Sequence, residues 1–167
     1  AGWNTNSSGT GTNYFAGNSV SVGANATVTL YAKWTPITYS ITYNGNGNTG
    51  GSTASQTKTY NVAINLQSNG FTKTGYHFTG WNTASNGTGT SYSAGANYNS
   101  NANLALYAKW TINSSTLSVN PNGGTWNNST ATQNFTQNYN TTKSIPVPTR
   151  NGYTFVKWNR SGTNGTM

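Results

Sequence analysis

Two copies of a short aromatic and basic segment hold the side chains best suited to contact a ligand. The segment reads Leu-Tyr-Ala-Lys-Trp at positions 30–34 and again at positions 106–110. The side chains with chemistry to offer are Tyr31, Lys33, Trp34, Tyr107, Lys109 and Trp110. The rings could form a shelf for sugars or bases, and the lysines, pointing the other way, could engage an anionic polymer. The alternative is structural, because aromatic residues repeated at one position are typical of core and inter-module packing.

The charged residues of the chain are all of one sign. There are eight Lys or Arg residues and no Asp or Glu, so the formal net charge at pH 7 is +8. Such a field favours polyanions, including nucleic acid, anionic glycans and anionic membrane surfaces. The eight cations are scattered without a basic run, which is typical of dispersed, solvated charge. We therefore expect no specific nucleic-acid site, and anionic glycans remain a candidate partner.

The missing carboxylates exclude several kinds of site. Glycoside hydrolysis generally needs two carboxyl groups, and calcium and two-metal sites need carboxylate ligands. The chain has no cysteine, which excludes disulfides, thiol chemistry and thiolate metal sites. A Lys–Asn isopeptide bond is not expected, because its formation needs a neighbouring carboxyl group to move protons. No motif supports a Ser–Lys nucleophile pair. We expect no enzyme activity, no cofactor and no metal.

His77 is the only histidine, and one imidazole makes no catalytic or metal site. It stands between Tyr76 and Phe78 in an alternating stretch, so we expect it on the solvent face of a strand. Since no carboxylate can be protonated, acid unfolding through paired carboxylates cannot occur. We expect folding that is nearly independent of pH from about pH 2 to about pH 8.

Short alternating segments predict a mainly β protein. Residues 37–43 alternate large and small polar side chains, and an Asn-Gly-Asn-Gly turn follows them. Residues 53–60 read as the returning strand with Lys58 pointing outward. Residues 60–66 keep the alternation of a strand but cross an expected loop, and a short helix is an alternative there. A central strand at 76–81 and a final strand at 104–110 complete the pattern. Long helices are not expected, and no apolar run is long enough to span a membrane.

Long-range self-similarity divides the chain into modules. Trp3 returns as Trp81, and Tyr76 returns as Tyr153 at nearly the same spacing. A fixed period of this kind indicates tandem repeats. The predicted modules are residues 1–35, the C-terminal part of one; 36–111, a complete one; and 112–167, the N-terminal part of a third. The junctions are short, so we expect neighbouring modules in close contact, though not a rigid rod.

The motifs then become recognisable in order: an Asn-Gly-Gly turn, Pro-Thr-Arg-x-Gly-Tyr-Thr-Phe, Gly-Trp, Gly-Thr-x-Tyr and Leu-Tyr-Ala-Lys-Trp. They resemble the Listeria–Bacteroides repeat, which is similar to the B repeat of internalin-type surface proteins. The resemblance implies tandem small modules with an α+β, mainly β, β-grasp-like fold, in which a short helix or loop packs across a mixed sheet. It also implies tandem arrays on secreted or wall-attached proteins, often adhesins, with no catalytic site. Asn82 and Asn159 stand where the family often has Asp.

Three functions follow as expectations. The first is a structural spacer or stalk in an extracellular, cell-surface or secreted adhesin, with neighbouring repeat modules of the same chain as partners. The second is a binding module for anionic glycans. The third is a fibre whose adjacent subunits complete each other's split modules by strand addition, since the first and last parts are complementary halves. The alternative to the fibre is a longer array that has been cut.

Overall fold

The computed structural model describes residues 1–160. This part of the chain consists of strands, turns and irregular segments, and it contains no helix. The prediction of a mainly β protein is therefore confirmed. Residues 161–167, which the repeat pattern assigns to the third module, lie outside the described residues.

Residues 1–35 form a three-stranded antiparallel sheet. Its strands are β1 (Gly2–Asn4), β2 (Asn13–Tyr14) and β3 (Tyr31–Lys33), in the order β2-β1-β3. Trp3 of β1 lies opposite Tyr14 of β2 and Ala32 of β3.

The second module is built on a mixed five-stranded sheet. Its strands in chain order are β4 (Thr38–Asn44), β5 (Gly50–Gly51), β6 (Gln56–Thr59), β7 (Ile64–Asn65), β8 (Phe71–Thr72), β9 (Tyr76–Asn82), β10 (Ser91–Tyr92), β11 (Asn97–Tyr98) and β12 (Leu104–Ile112). The sheet order is β10-β9-β12-β4-β6, and only β12 and β4 pair in parallel. The small pairs β5–β8 and β7–β11 lie outside the main sheet. Residues 60–66, ambiguous in sequence, form a turn followed by β7.

The core of the second module covers one face of this sheet, as the alternation of its strands requires. Its buried members are Ile41, Leu66, Trp81, Tyr98, Leu106 and Ala108. Trp81 is fully buried, with its ring centroid 4.8 Å from that of Tyr43 and 4.9 Å from that of Phe78. Its indole Nε1 donates a hydrogen bond to the Gln67 carbonyl at 3.0 Å, so the polar atom of the ring is satisfied.

A register shift in the β9–β12 ladder brings a second aromatic pair to the core. Ala108 lies opposite Trp81, but Trp110 lies opposite Phe78, with the irregularity between Lys109 and Trp110. An extra residue on one strand reverses which side chains face the core beyond it. Phe78 and Trp110 consequently meet edge to face at 5.9 Å.

The third module begins with a hairpin of β13 (Ser114–Val119) and β14 (Gln133–Asn138). Trp126 packs against Phe135 with ring centroids 5.4 Å apart, and Val119 is buried. The loop of this hairpin pairs with the segment that follows β14, through a bridge between Thr125 and Thr149.

The prediction that Lys58 points outward is wrong. β6 pairs with β4 so that Lys58 lies opposite Tyr39, which puts it on the same sheet face as Ile41. The lysine is completely buried. Its Nζ donates to the carbonyl of Thr59 at 3.2 Å and to Oδ1 of Asn101 at 3.0 Å. The long apolar stem thus fills space under the sheet while neutral oxygens accept from the ammonium group.

Candidate functional site

One buried asparagine organises the loop that follows β9. Asn82 is completely buried, and its Nδ2 donates to the carbonyls of Gly87 at 3.3 Å and Gly89 at 2.9 Å and to Ser91 Oγ at 3.0 Å. Its Oδ1 accepts from the backbone N–H of Ala84 at 2.9 Å and of Gly89 at 3.0 Å. The Asn82 side chain therefore makes the hydrogen bonds that the carbonyl and N–H groups of this loop would otherwise make with other backbone groups.

The first module contains the same arrangement around Asn4. Its Nδ2 donates to the carbonyls of Gly9 and Gly11 and to Oδ1 of Asn13, while its Oδ1 accepts from two backbone N–H groups. The lysine of each Leu-Tyr-Ala-Lys-Trp copy joins this network. Lys33 Nζ lies 3.3 Å from Asn13 Oδ1, and Lys109 Nζ lies 3.2 Å from Ser91 Oγ.

Strand alternation separates the three candidate ligand residues of the second module. Trp110 is on the core face, where its Nε1 donates to the Gly45 carbonyl at 2.8 Å. Tyr107 and Lys109 occupy the opposite face of β12, paired with Asn82 and Gly80 of β9. Trp110 and Tyr107 therefore do not form one aromatic shelf, and the prediction that Lys109 points away from both aromatic side chains is wrong for Tyr107. A ligand contact at any of the six candidate residues remains a prediction.

The corresponding aromatic residues of the first module are more exposed. Trp34 is 83% exposed and Tyr31 is 43% exposed. Trp3 is 47% exposed, whereas its equivalent Trp81 is completely buried. The difference has a simple cause: residues 1–35 contain counterparts of β9, β10 and β12 but none of β4 and the segments that cover Trp81.

The junction between the second and third modules is one residue long. Asn113 is the only residue between β12 and β13. Its backbone N–H donates to the Gly75 carbonyl at 2.8 Å, and its own carbonyl accepts from the Tyr139 N–H at 2.7 Å. The first bond extends the β9–β12 ladder, and the second extends the β13–β14 ladder. A single residue thus carries backbone pairing from one module into the next.

Two side chains reinforce this junction. His77 is exposed, as predicted, and its Nδ1 lies 2.8 Å from Oδ1 of Asn113. The ring of Tyr139 lies directly on Gly75, so closely that a Cβ on this glycine would overlap it. Gly75 also has φ of +77°, which side chains other than glycine rarely adopt. Sequence reasoning missed Gly75 and Tyr139. The available signal was the recurrence of Gly-Tyr at 75–76 and 152–153 and of Tyr-Asn at 60–61 and 139–140.

A cation lies over a tyrosine ring at the same place in two modules. Lys73 Nζ is 4.8 Å from the ring centroid of Tyr76, and Arg150 Cζ is 4.2 Å from that of Tyr153. Both tyrosines are partly exposed, at 37% and 67%. A positive group on an accessible aromatic face has the elements needed to contact an anionic sugar.

An open groove in the third module marks the place that β12 fills in the second. Its volume is about 590 Å³, and it runs between the turn at residues 120–124 and residues 148–160. The counterparts of these two walls in the second module are the turn after β4 and strand β9, which flank β12. The groove therefore corresponds to a strand position and not to a small-molecule pocket of the module.

Burial perturbs two tyrosine hydroxyls. Desolvation raises the pKa of Tyr43, an effect that a hydrogen bond from the Gln67 N–H partly offsets. Desolvation also raises the pKa of Tyr98, with a smaller contribution from Tyr92.

Residues 1–160 include no group of three His, Cys, Asp or Glu side chains that could hold a metal ion. Among these residues there is also no helix of the length and apolarity needed to cross a membrane.

Comparison with known proteins identifies the repeat. The family model of the Listeria–Bacteroides repeat domain matches residues 1–33, 39–109 and 116–167. A putative Gly-rich membrane protein of Evansella cellulosilytica is 32% identical over 166 residues, covering 95% of this chain and 18% of the relative. Internalin H of Listeria monocytogenes is 38% identical over 96 residues, covering 57% of this chain and 16% of the relative. The chain thus spans less than a fifth of either relative. No solved structure matches it significantly.

Proposed function

The chain belongs to the Listeria–Bacteroides repeat domain family, and on this basis we propose that its modules are structural spacers in an extracellular surface protein. In this role the modules separate functional regions of a longer polypeptide and carry out no catalysis themselves. The partners of each module are its neighbours along the chain.

The observation that carries the proposal is the junction at Asn113. Its two backbone bonds, at 2.8 and 2.7 Å, join the ladders of adjacent modules with a single residue between the strands. Backbone pairing across a junction restricts how far one module can turn against the next. A spacer needs this property, because a freely jointed linker would let the modules fold back on each other.

The chemistry of the described residues supports a role without catalysis. The most buried polar side chains, Asn4, Lys58 and Asn82, have partners that belong to the module itself. Their hydrogen bonds hold loops and strands in place. The exposed His77 also has a partner within the chain, because its Nδ1 is within hydrogen-bond distance of the Asn113 side chain at the junction.

A series of chains with added modules tests the spacer function. One, two or three further copies of residues 36–111 would be inserted after Thr111, and the maximum dimension measured by small-angle X-ray scattering. We expect a monomer whose length grows by a constant increment per copy. The matched control replaces each added copy by a Gly/Ser linker of equal length, whose dimension grows roughly as the square root of the number of residues. Square-root growth of the module series would contradict the proposal.

The surface location needs a separate measurement. Antibodies raised against the chain should label intact cells of the source organism. Labelling that appears only after the cells are permeabilised would contradict an extracellular spacer.

A second candidate function is the binding of anionic glycans. It is supported by the cation–tyrosine pairs Lys73–Tyr76 and Arg150–Tyr153, which repeat at one module position in a chain with net charge +8. No carboxylate side chain competes for these cations within the chain. The pairs would bind a sulfated or carboxylated sugar through charge and ring stacking.

Binding to heparin at increasing salt tests this second function. We expect Tyr76→Ala and Tyr153→Ala to weaken binding at physiological salt, because they remove the aromatic platform without changing the charge. Lys143→Gln, which removes the cation over the Phe135 ring, is the control for a cation–aromatic pair outside the repeated position. If all three variants lost heparin binding equally, or if the parent chain eluted from heparin below physiological salt, the binding would be non-specific charge attraction.

A further inference from the structure

The contact between Tyr139 and Gly75 has two parts that recur elsewhere in the chain. One part is a tyrosine that ends the first hairpin of a module, and the other is the glycine of the Gly-Tyr turn in the module before it. We call this contact the Tyr-on-Gly joint, comprising Tyr139, Gly75 and the linking residue Asn113.

Tyr60 and Ile37 reproduce the tyrosine half of the joint. The Tyr60 N–H donates to the Ile37 carbonyl at 2.8 Å, as the Tyr139 N–H does to the Asn113 carbonyl at 2.7 Å. Each tyrosine is followed by an asparagine with positive φ, +55° at Asn61 and +58° at Asn140. Tyr60 and Ile37 are both exposed.

Gly152 reproduces the glycine half. Its φ is +76°, against +77° at Gly75, and it precedes Tyr153 as Gly75 precedes Tyr76. A Cβ built on Gly152 would meet no atom of residues 1–160 within 4 Å, whereas one built on Gly75 would overlap the Tyr139 ring. The surface above Gly152 is therefore open where the surface above Gly75 is occupied.

We infer that Tyr60 and Gly152 each form one side of a further Tyr-on-Gly joint. The other side of each joint comes from an adjacent repeat module of the same polypeptide. Tyr60 packs on the glycine of the Gly-Tyr turn in the module to which residues 1–35 belong, and the carbonyl of that glycine accepts from the Ile37 N–H. Gly152 receives the hairpin-ending tyrosine of a following module. This inference rests on the proposed spacer function, because it supplies the contact that sets one module against the next.

The geometry explains why these residue types are required. The turn needs φ near +77°, which glycine adopts without steric cost. The missing Cβ also lets an aromatic ring approach the backbone, which a side chain at this position would prevent. A module in the same polypeptide is the favoured occupant, because linkage raises its effective concentration far above that of a separate molecule.

Duplication of the complete module tests the joint in the full chain. Insertion of residues 36–111 after Thr111 gives the junction Trp110-Thr111-Pro36-Ile37, which repeats the native order of residues 34–37. The original Ile37 is changed to Val, so that ¹⁵N-isoleucine labelling reports a single Ile37 amide in the inserted copy. We expect this amide to exchange with solvent at least tenfold more slowly than Ile37 of the unduplicated chain, because it donates to the Gly75 carbonyl of the module before it.

Two variants of the duplicated chain keep the test decisive. Tyr60→Ala in the inserted copy should return the Ile37 amide to fast exchange while the Trp81 core remains folded. Thr57→Ala, at an exposed position of β6 outside the joint, should leave the slow exchange in place. Fast exchange of Ile37 in the duplicated parent chain would overturn the joint. If its length still grew by a constant increment, the spacer function would survive that failure.

Discussion

Asn4 and Asn82 make the same five side-chain hydrogen bonds in equivalent loops of two successive modules. In each, three acceptors share the two hydrogens of Nδ2 and Oδ1 accepts two bonds, and both residues are buried, with exposures of 1% and 0%. The similarity extends to distances, with Nδ2 to glycine carbonyl separations of 3.3 and 2.9 Å in both loops. An amide suits this position because one group both donates and accepts hydrogen bonds there.

Asn82→Ala should destabilise the second module by about 3 kcal/mol, because buried carbonyls and N–H groups lose their partner. Asn82→Asp should lower the free energy of unfolding less than Asn82→Ala does, since a carboxylate still accepts from the N–H groups of Ala84 and Gly89. Urea unfolding followed by Trp fluorescence measures both. Asn86→Ala, in the exposed tip of the same loop, is the control and should change the free energy of unfolding by less than about 1 kcal/mol. Equal effects at positions 82 and 86 would contradict this role of Asn82.

Lys58→Met should be neutral or stabilising, by up to about 2 kcal/mol, because an apolar chain of similar length fills the same space without a buried charge. Asn101 Oδ1 keeps a partner in this variant, the Asn61 N–H at 2.9 Å. Lys58→Ala should instead cost about 2–4 kcal/mol through the cavity it leaves. Thermal and urea unfolding decide between these effects. Lys143→Met on the surface provides the control, and strong destabilisation by Lys58→Met would show that the ammonium group itself is needed.

Gly75→Ala and Gly152→Ala form a matched pair. Both substitutions place a side chain at φ near +77°, which costs about 1–2 kcal/mol. Only Gly75→Ala also displaces the Tyr139 ring, so it should lower the free energy of unfolding more than Gly152→Ala does. When Tyr139→Ala has removed the ring, Gly75→Ala should destabilise the chain no more than Gly152→Ala does. A double-mutant cycle of Gly75→Ala and Tyr139→Ala measures this difference. Additive effects of Gly75→Ala and Tyr139→Ala would contradict the packing of this ring on the glycine.

Folding should be stable in acid and sensitive to alkali. With no carboxylate side chain, stability should be nearly constant from about pH 2 to about pH 8. Because burial raises the pKa of Tyr43 and Tyr98 in the folded state, their contribution is complete below the unfolded value of about 10 and is lost as pH rises above it. Urea midpoints at pH 3, 7 and 11 measure this dependence. Tyr98→Phe should reduce the alkaline loss, and a midpoint that falls steeply at pH 3 would contradict the argument.

Supplying residues 36–78 ahead of Ala1 should bury Trp3. The added segment brings counterparts of β4 and of the segments that cover Trp81, so the apolar face around Trp3 leaves water. With 5-fluorotryptophan in place of tryptophan, the ¹⁹F signal of Trp3 should lose its H₂O/D₂O shift and come to resemble that of Trp81. The control segment carries Ile41→Asn in the added copy and should protect Trp3 less. A Trp3 signal that stays solvent-sensitive in both chains would contradict the equivalence of the two tryptophans.

Sequence patterns were sufficient for the long strands of the second module and for the repeat, but not for the two-residue strands such as β10 and β11. The alternation in residues 37–43 and 104–110 predicted β4 and β12, and the turn after β4 was predicted from Asn-Gly pairs, of which Asn46 and Gly47 have positive φ. Lys58 shows where this reasoning fails. Which face a residue occupies depends on the pairing of β6 with β4, and sequence alternation within a four-residue strand does not fix that pairing.

Long-range contacts account for the other omissions. Asn82 looked like a substitution for Asp, because only the folded loop reveals that its amide also donates. Phe78 reaches the core through a register shift that depends on the partner strand β12. Tyr139 and Gly75 belong to different modules and lie far apart in sequence, so each matters only once the two modules are in contact.

The parallel pairing of β4 with β12 determines how a module responds to a pulling force. Four residue pairs, from Leu104↔Ile41 to Tyr107↔Asn44, join the first and last long strands of the module. Tension applied through the polypeptide pulls β4 and β12 in opposite directions along their own axes. All the hydrogen bonds between the two strands are then loaded together in shear. In a hairpin pulled from its ends, by contrast, the bonds break one after another. The parallel pair would therefore resist the force at the two points where tension enters and leaves the module.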